Sequence, residues 1–200
     1  MLTLPNILTI GRLALVPWFL VASYRGQWML AFALFVTAAV TDILDGFLAR
    51  RMNLRSRLGA ILDPAADKIL MICGYLFYTL HGSPAARLPG WLTFTVFIRD
   101  FAIVLVAYLM YTRVQVTRFP PSWAGKASTV TQAITLAATI AVNAFLPGMK
   151  SYLEILFRVA VFITLFSGWD YLRRAPELLY GTTGERAHPA ATLDIQPQPK

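Results

Sequence analysis

The sequence predicts an all-α integral membrane protein, with six transmembrane helices around a polar cavity open to the cytoplasmic side. Three observations carry that expectation. Hydrophobic residues make up 57% of the 200-residue chain and charged residues only 14%. The apolar residues gather in runs that approach the roughly 20 residues a helix needs to cross a bilayer. The 18 lysines and arginines outnumber the 10 acids, and they fall mostly between those runs, where membrane proteins keep their basic residues.

The same numbers exclude other classes. A net charge of +8 carried mostly by loops is not the clustered basic face of a nucleic-acid reader, so no nucleic-acid partner is expected. Cys73 is the single cysteine; it has no intramolecular partner and reads as packing within an apolar run. The chain starts without a basic n-region and Pro5 interrupts it, so the first apolar segment is expected to be retained. The length allows one domain. Residues 1–175 are expected to form it, with 176–200, rich in Pro, Gly and Thr, as a loosely ordered cytoplasmic tail.

The elements follow in order. Residues 5–24 form the first span, with Asn6, Thr9 and Arg12 near its start and a kink expected at Pro17. Arg25-Gly26-Gln27 is a short turn. Residues 28–49 form the second span, carrying Asp42 and Asp45 and running into Arg50, Arg51, Arg55 and Arg57. Residues 57–80 form the third, with Asp63 and Asp67 in its opening turns. Pro64 bends the axis beside Asp63, and Lys68 follows Asp67. His81 to Pro89 make a turn in which His81 reads as a surface residue. Residues 90–112 form the fourth span, interrupted by Arg99-Asp100. An opposite-charge pair inside a span is expensive, so this one is either a structural salt link or a phosphate-binding arginine with its neighbour. Residues 113–122 are a polar loop with Arg113 and Arg118. Residues 123–146 form the fifth span, with Lys126, Thr129 and Gln132 on or near one face. Residues 151–172 form the sixth, with Glu154 and Arg158 four apart on one face. Trp169, Tyr171, Arg173 and Arg174 form an interfacial anchor at its end.

Orientation follows from the basic residues. Arg50, Arg51, Arg55, Arg57, Arg113, Arg118, Lys126 and the tail cations lie on one side, against Arg25, Arg87 and Lys150 on the other. The excess places both termini and the aspartates on the cytoplasmic side.

Four aspartates are the chemical centre of the chain. Acids inside a membrane protein are costly and mark a functional site by default. Asp42 and Asp45 are three apart and Asp63 and Asp67 four apart, so each pair shares a helix face. Two antiparallel helices joined by a short turn can bring those faces together. Four close carboxylates cannot all stay ionised without compensation, and carboxylate oxygens suit hard cations, Mg²⁺ or Mn²⁺. Two such ions roughly cancel the charge, as in two-metal sites for displacement at phosphorus. Gly46 and Gly59 clear bulk beside the acids, and Arg50 is a planar fork suited to phosphate.

The string Asp42-x2-Asp45-Gly46-x2-Ala49-Arg50-x8-Gly59-x3-Asp63-x3-Asp67 resembles the signature of the CDP-alcohol phosphotransferase family at every fixed position. The resemblance implies a metal-dependent enzyme that transfers a phosphatidyl group from CDP-diacylglycerol to an alcohol and releases CMP. It implies the four aspartates as metal ligands, with Asp67 also taking the proton of the acceptor hydroxyl. The nucleotide lipid would lie near Gly46, Ala49, Arg50 and Gly59. Pro5-Asn6-x2-Thr9-x2-Arg12 is similar to the opening of members that make glycerophospholipids, which implies Asn6 and Arg12 near the lipid nucleotide's phosphates. Arg99, Arg113, Lys126 and Thr129 are the implied contacts for a glycerol-type acceptor. Many phosphatidylglycerophosphate synthases carry a lysine where Ser128 stands and Arg-Glu where Arg99-Asp100 stands. Both departures lean toward cardiolipin synthases that use phosphatidylglycerol, while the opening segment favours glycerol 3-phosphate, the acceptor expected here. The family also implies a homodimer, and the chain a bacterial inner membrane. A cation transporter would spread its acids through the bilayer depth, whereas these gather near one surface. An inactive scaffold would not need every motif position.

Overall fold

The computed structural model describes residues 4–52, 59–83, 85–114 and 122–185. Among these residues the chain is all helical. The helices are α1 (Leu4–Tyr24), α2 (Trp28–Met52), α3 (Gly59–Leu80), α4 (Gly90–Val114), α5 (Trp123–Ala144) and α6 (Lys150–Glu185), with a 3-10 turn at Pro147–Met149 before α6. The bounds of α1 to α5 lie within one turn of the spans expected from hydropathy.

Helix α6 differs. It continues to Glu185, past the point where a loose tail is expected. Pro176, Gly181 and Gly184 read as breakers, but Glu177, Leu178 and Leu179 between them are strong helix formers. Residues 186–200 lie outside the described residues.

The helix ends have local causes. Gly26 takes a φ of 69°, a conformation costly for any residue with a Cβ. Its N–H donates to Ser23 O at 3.1 Å and the Gln27 N–H to Ala22 O at 2.9 Å, the paired bonds that close a helix at a left-handed glycine. Ser122 starts α5: its backbone is extended and its side chain accepts from Gly125 N at 2.9 Å, which satisfies one of the orphan donors of the first turn.

Helix α1 packs against both α2 and α3, α5 against α2, α3 and α6, and α4 against α6. The connections 25–27, 81–89 and 145–149 lie at one end of the bundle. Aromatic rings fill much of that end: Phe19 packs on Phe35 and Tyr78 with ring centroids 6.1 and 6.3 Å apart, and Trp28 lies 6.1 Å from Tyr78. Asn143 of α5 ties the 81–89 connection down, its carboxamide donating to Ala86 O at 3.0 Å and accepting from Ala86 N at 3.1 Å. His81 is exposed, as expected, and stacks on Phe77 at 5.6 Å.

Helices α3 and α5 approach closely at Gly74, where an added Cβ would lie 2.5 Å from Leu136 Cδ2. Leu136 is wholly buried, so it has little room to yield. Gly74→Val is expected to destabilise the fold by roughly 1–3 kcal/mol through overpacking, seen as a lower midpoint of thermal unfolding in detergent. An unchanged midpoint would mean that the two helices are not in contact there.

The outer surface is apolar. Trp18, Phe94, Phe101, Tyr152, Phe162 and Trp169 are each between 66% and 72% exposed, and a belt of this kind marks contact with lipid or protein. Among the described residues, Lys150–Arg173 is long and apolar enough to cross a membrane; Ile10–Tyr24, Trp28–Asp42 and Lys68–Leu80 are shorter apolar stretches.

Candidate active site

The buried charged groups, Arg12 and Arg99, lie away from that aromatic end of the bundle. Arg12, two turns into α1, is 2% exposed, and its Nη1 lies 2.5 Å from Asp42 Oδ1 on α2. A snorkelling interfacial arginine would reach outward to headgroups; this one is enclosed and aimed at the first motif aspartate. The Asp42 side chain stays 43% exposed, so the ion pair does not close it off from a further ligand.

A second chain of charges joins three helices. Lys68 of α3 donates to Asp100 Oδ2 of α4. Arg99 Nη1 donates to Asp100 Oδ1 at 2.8 Å, and Arg99 Nη2 donates to Ser167 Oγ of α6 at 2.6 Å. Arg99 and Asp100 therefore do form a salt link. Lys68, the residue directly after Asp67, fixes the opening of α3 to α4 through it. Charged partners offset the desolvation that a lone arginine would suffer at this burial. The Arg99 Nε is buried without a hydrogen-bond partner among the described residues, so the guanidinium keeps one unused donor.

Arg99 abuts the first turn of α5. A Cβ placed on Gly125 would lie 3.5 Å from Arg99 Nη2 and 3.2 Å from Ser122 Oγ. Thr129 donates to Gly125 O at 3.2 Å. Arg99 and Thr129 thus border the same glycine from two helices. Lys126 stands on the exposed side, its ammonium 5.2 Å from the Trp123 ring centroid, a cation–π arrangement. Ser128 is wholly buried between α5 and α6, where its hydroxyl lies 3.3 Å from Thr164 Oγ1 and accepts from Gln132 Nε2 at 3.1 Å. Tyr75 of α3 donates to Gln132 O at 3.1 Å, which ties α3 to the same seam.

The backbone places Asp45 on α2 with Asp42, and Asp63 and Asp67 on α3, with Gly59 at that helix's first residue. The side chains of Asn6, Asp45, Ala49, Arg50, Asp63, Asp67 and Arg113 lie outside the described residues, as do contacts at Gly46 and Gly59. Among the side chains that are described, no group of three or more His, Cys, Asp or Glu gathers. The motif donors, all carboxylate oxygens with Asp42 still accessible, are of the chemistry that suits a hard divalent cation. Sequence reading missed Ser167 and the Lys68–Asp100 bond. A serine next to Gly168, in an apolar stretch of α6, was the available signal.

An all-helical protein with an apolar outer surface and charged pairs held in its interior is the class these features define. The chain belongs to the CDP-alcohol phosphatidyltransferase family, whose sequence profile matches residues 2–170, and it is an enzyme of phospholipid biosynthesis. It is 32% identical over 182 residues to the probable phosphatidylglycerophosphate synthase of Mycobacterium tuberculosis, covering 86% of this chain and 81% of that one. It is 35% identical over 180 residues to the CDP-diacylglycerol–glycerol-3-phosphate 3-phosphatidyltransferase of Salmonella typhimurium, covering 86% and 94%. It is 33% identical over 187 residues to the human CMP-forming cardiolipin synthase, covering 84% of this chain and 60% of that one. Enzymes of the family generally use divalent metal ions, and the relatives point to a membrane location.

Proposed function

We propose that the chain transfers the phosphatidyl group of CDP-diacylglycerol to glycerol 3-phosphate, giving phosphatidylglycerophosphate and CMP. One observation carries this reading. The aspartate motif is complete from Asp42 to Asp67 in a chain 32% and 35% identical to relatives named for that reaction.

In this reading six spans enclose a polar cavity open to the cytoplasm, both termini are cytoplasmic, and the enzyme is a homodimer in a bacterial inner membrane. Asp42, Asp45, Asp63 and Asp67 would hold Mg²⁺ or Mn²⁺, two ions by charge balance. Bound there, metal supplies charge neutralisation on the diphosphate. Arg12 and Arg50 orient the phosphates, with Asn6 beside them. Arg12 also holds Asp42 in place through their ion pair. Gly46, Ala49 and Gly59 leave room for the cytidine. Arg99 and Thr129, which meet at Gly125, orient the acceptor phosphate together with Lys126 and Arg113. Asp67 takes the proton of the acceptor hydroxyl as its oxygen attacks the phosphorus that bears diacylglycerol. A new P–O bond forms to the acceptor, the bond to the CMP phosphate breaks, and CMP leaves to the cytoplasm.

A second reading is favoured by Ser128. Its neutral hydrogen bonds to Thr164 and Gln132 put no cation at a position where a charged acceptor would be met by a lysine. That arrangement suits phosphatidylglycerol as acceptor, the reaction of a cardiolipin synthase. One assay decides. CMP release from CDP-diacylglycerol with Mg²⁺ or Mn²⁺ is compared with glycerol 3-phosphate, phosphatidylglycerol and inositol 1-phosphate. Stimulation by glycerol 3-phosphate at least tenfold above the others is expected. Preference for phosphatidylglycerol would install the second reading, and no CMP with any acceptor would remove both. In the same assay Arg50→Ala is expected to raise the KM for CDP-diacylglycerol about tenfold or more, the loss of one charge-assisted contact. An unchanged KM would make Arg50 a loop charge only.

A further inference from the structure

We propose a second lipid site, for an anionic glycerophospholipid, at the end of the bundle opposite the motif aspartates. A groove of about 260 Å³ lies between the start of α4 with its preceding segment and the first turns of α6. Arg87, Lys150 and Arg158 line it, against Glu154 as the single acid. This proposal goes beyond the transfer reaction. It requires only that the bundle sits in a membrane.

Charge and depth make the argument. Lys150 and Arg87 stand at the end of the bundle. Arg158 is eight residues along α6, ~12 Å deeper at the helical rise, and within the span Lys150–Arg173. Its side chain is exposed, and among the described residues it has no ion-pair partner. Glu154, one turn before it, shares the groove without closing an ion pair to it. A cation on the lipid side of a span is expensive unless it meets an anion or water. A phosphodiester drawn down into the groove supplies that anion. Of Arg25, Arg87 and Lys150, the loop cations on this side of the bundle, two line this one groove.

The site is preorganised at its rim. Arg87 Nε donates to Thr79 O at 2.6 Å and Nη2 to Leu80 O at 3.2 Å. These bonds satisfy the last carbonyls of α3 and fix the guanidinium in place. The floor is apolar, with Phe157 buried, and Trp91 half-exposed at the rim. An indole at that level suits the headgroup boundary. From there the exposed Phe94 and Ile98 continue the α4 face and Phe162 the α6 face, a path for acyl chains. A basic rim over an apolar floor fits a lipid rather than a free phosphate ion. Glu154 is an acceptor only, and takes a headgroup hydroxyl.

The test uses the purified full chain in detergent, with bound lipid counted by native mass spectrometry. Dioleoyl-phosphatidylglycerol is expected to be retained at least fivefold better than dioleoyl-phosphatidylcholine. The variants Lys150→Gln and Arg158→Gln are expected to lose roughly fivefold in phosphatidylglycerol affinity each, the effect of one basic residue near an anionic headgroup. CMP release by these variants reports separately on the transfer reaction. Equal retention of the two lipids, unchanged retention in both variants, or displacement of the lipid by millimolar inorganic phosphate would each overturn the proposal. Should Arg158→Gln not fold, Lys150→Gln, at the exposed first residue of α6, decides alone.

Discussion

Asp67→Asn is expected to lower turnover by roughly 10²–10⁴-fold, the contribution of a positioned general base. The protein should remain folded and still bind CDP-diacylglycerol. The substitution removes one negative charge and keeps the shape. Its neighbour Lys68 is already anchored to Asp100 of α4, so the opening of α3 stays tied to α4. The measurement is CMP release at saturating substrates alongside equilibrium binding of the nucleotide lipid. Loss of turnover with binding kept would support the role. Normal CMP release would remove Asp67 from proton transfer.

Asp42→Ala should act on stability as well as activity. Arg12 is enclosed, with 1% of its side chain exposed, and Asp42 lies 2.5 Å from it. Breaking a fully buried pair typically costs about 3–5 kcal/mol because the remaining charge loses a partner. Asp42 is half-exposed, so about half that, roughly 2 kcal/mol, is expected here. Removing both partners in Arg12→Met/Asp42→Ala should recover much of that stability and none of the activity. Thermal unfolding of the two single variants and the double variant reads the coupling. Additive losses would mean that the pair is not an energetic unit.

The parts of the molecule were not equally legible in the sequence. The helix limits were, because apolar runs end at residues with a local reason to stop. Gly26 is one such residue, with its left-handed backbone, and Ser122, capping α5, is another. The motif register was legible too, since Asp42 and Asp45 fall on α2 and Asp63 and Asp67 on α3. The partners of those charges were not. Arg12 meets Asp42 across 30 positions, Lys68 meets Asp100 across 32 and Arg99 meets Ser167 across 68. No helical period links residues so far apart; only the packing of α1 on α2, of α3 on α4 and of α4 on α6 does. The extension of α6 to Glu185 was obscured for a different reason. A polar composition rich in Pro, Gly and Thr points to a loose tail, while helix propensity acts as a sum over the segment.

In the proposed function, α2 and α3 bring two pairs of carboxylates together around divalent metal. Anomalous diffraction from crystals grown with Mn²⁺ and CDP tests it most directly. Anomalous peaks are expected among Asp42, Asp45, Asp63 and Asp67, in contact with the diphosphate. Manganese bound elsewhere, with the four carboxylates facing apart, would contradict it.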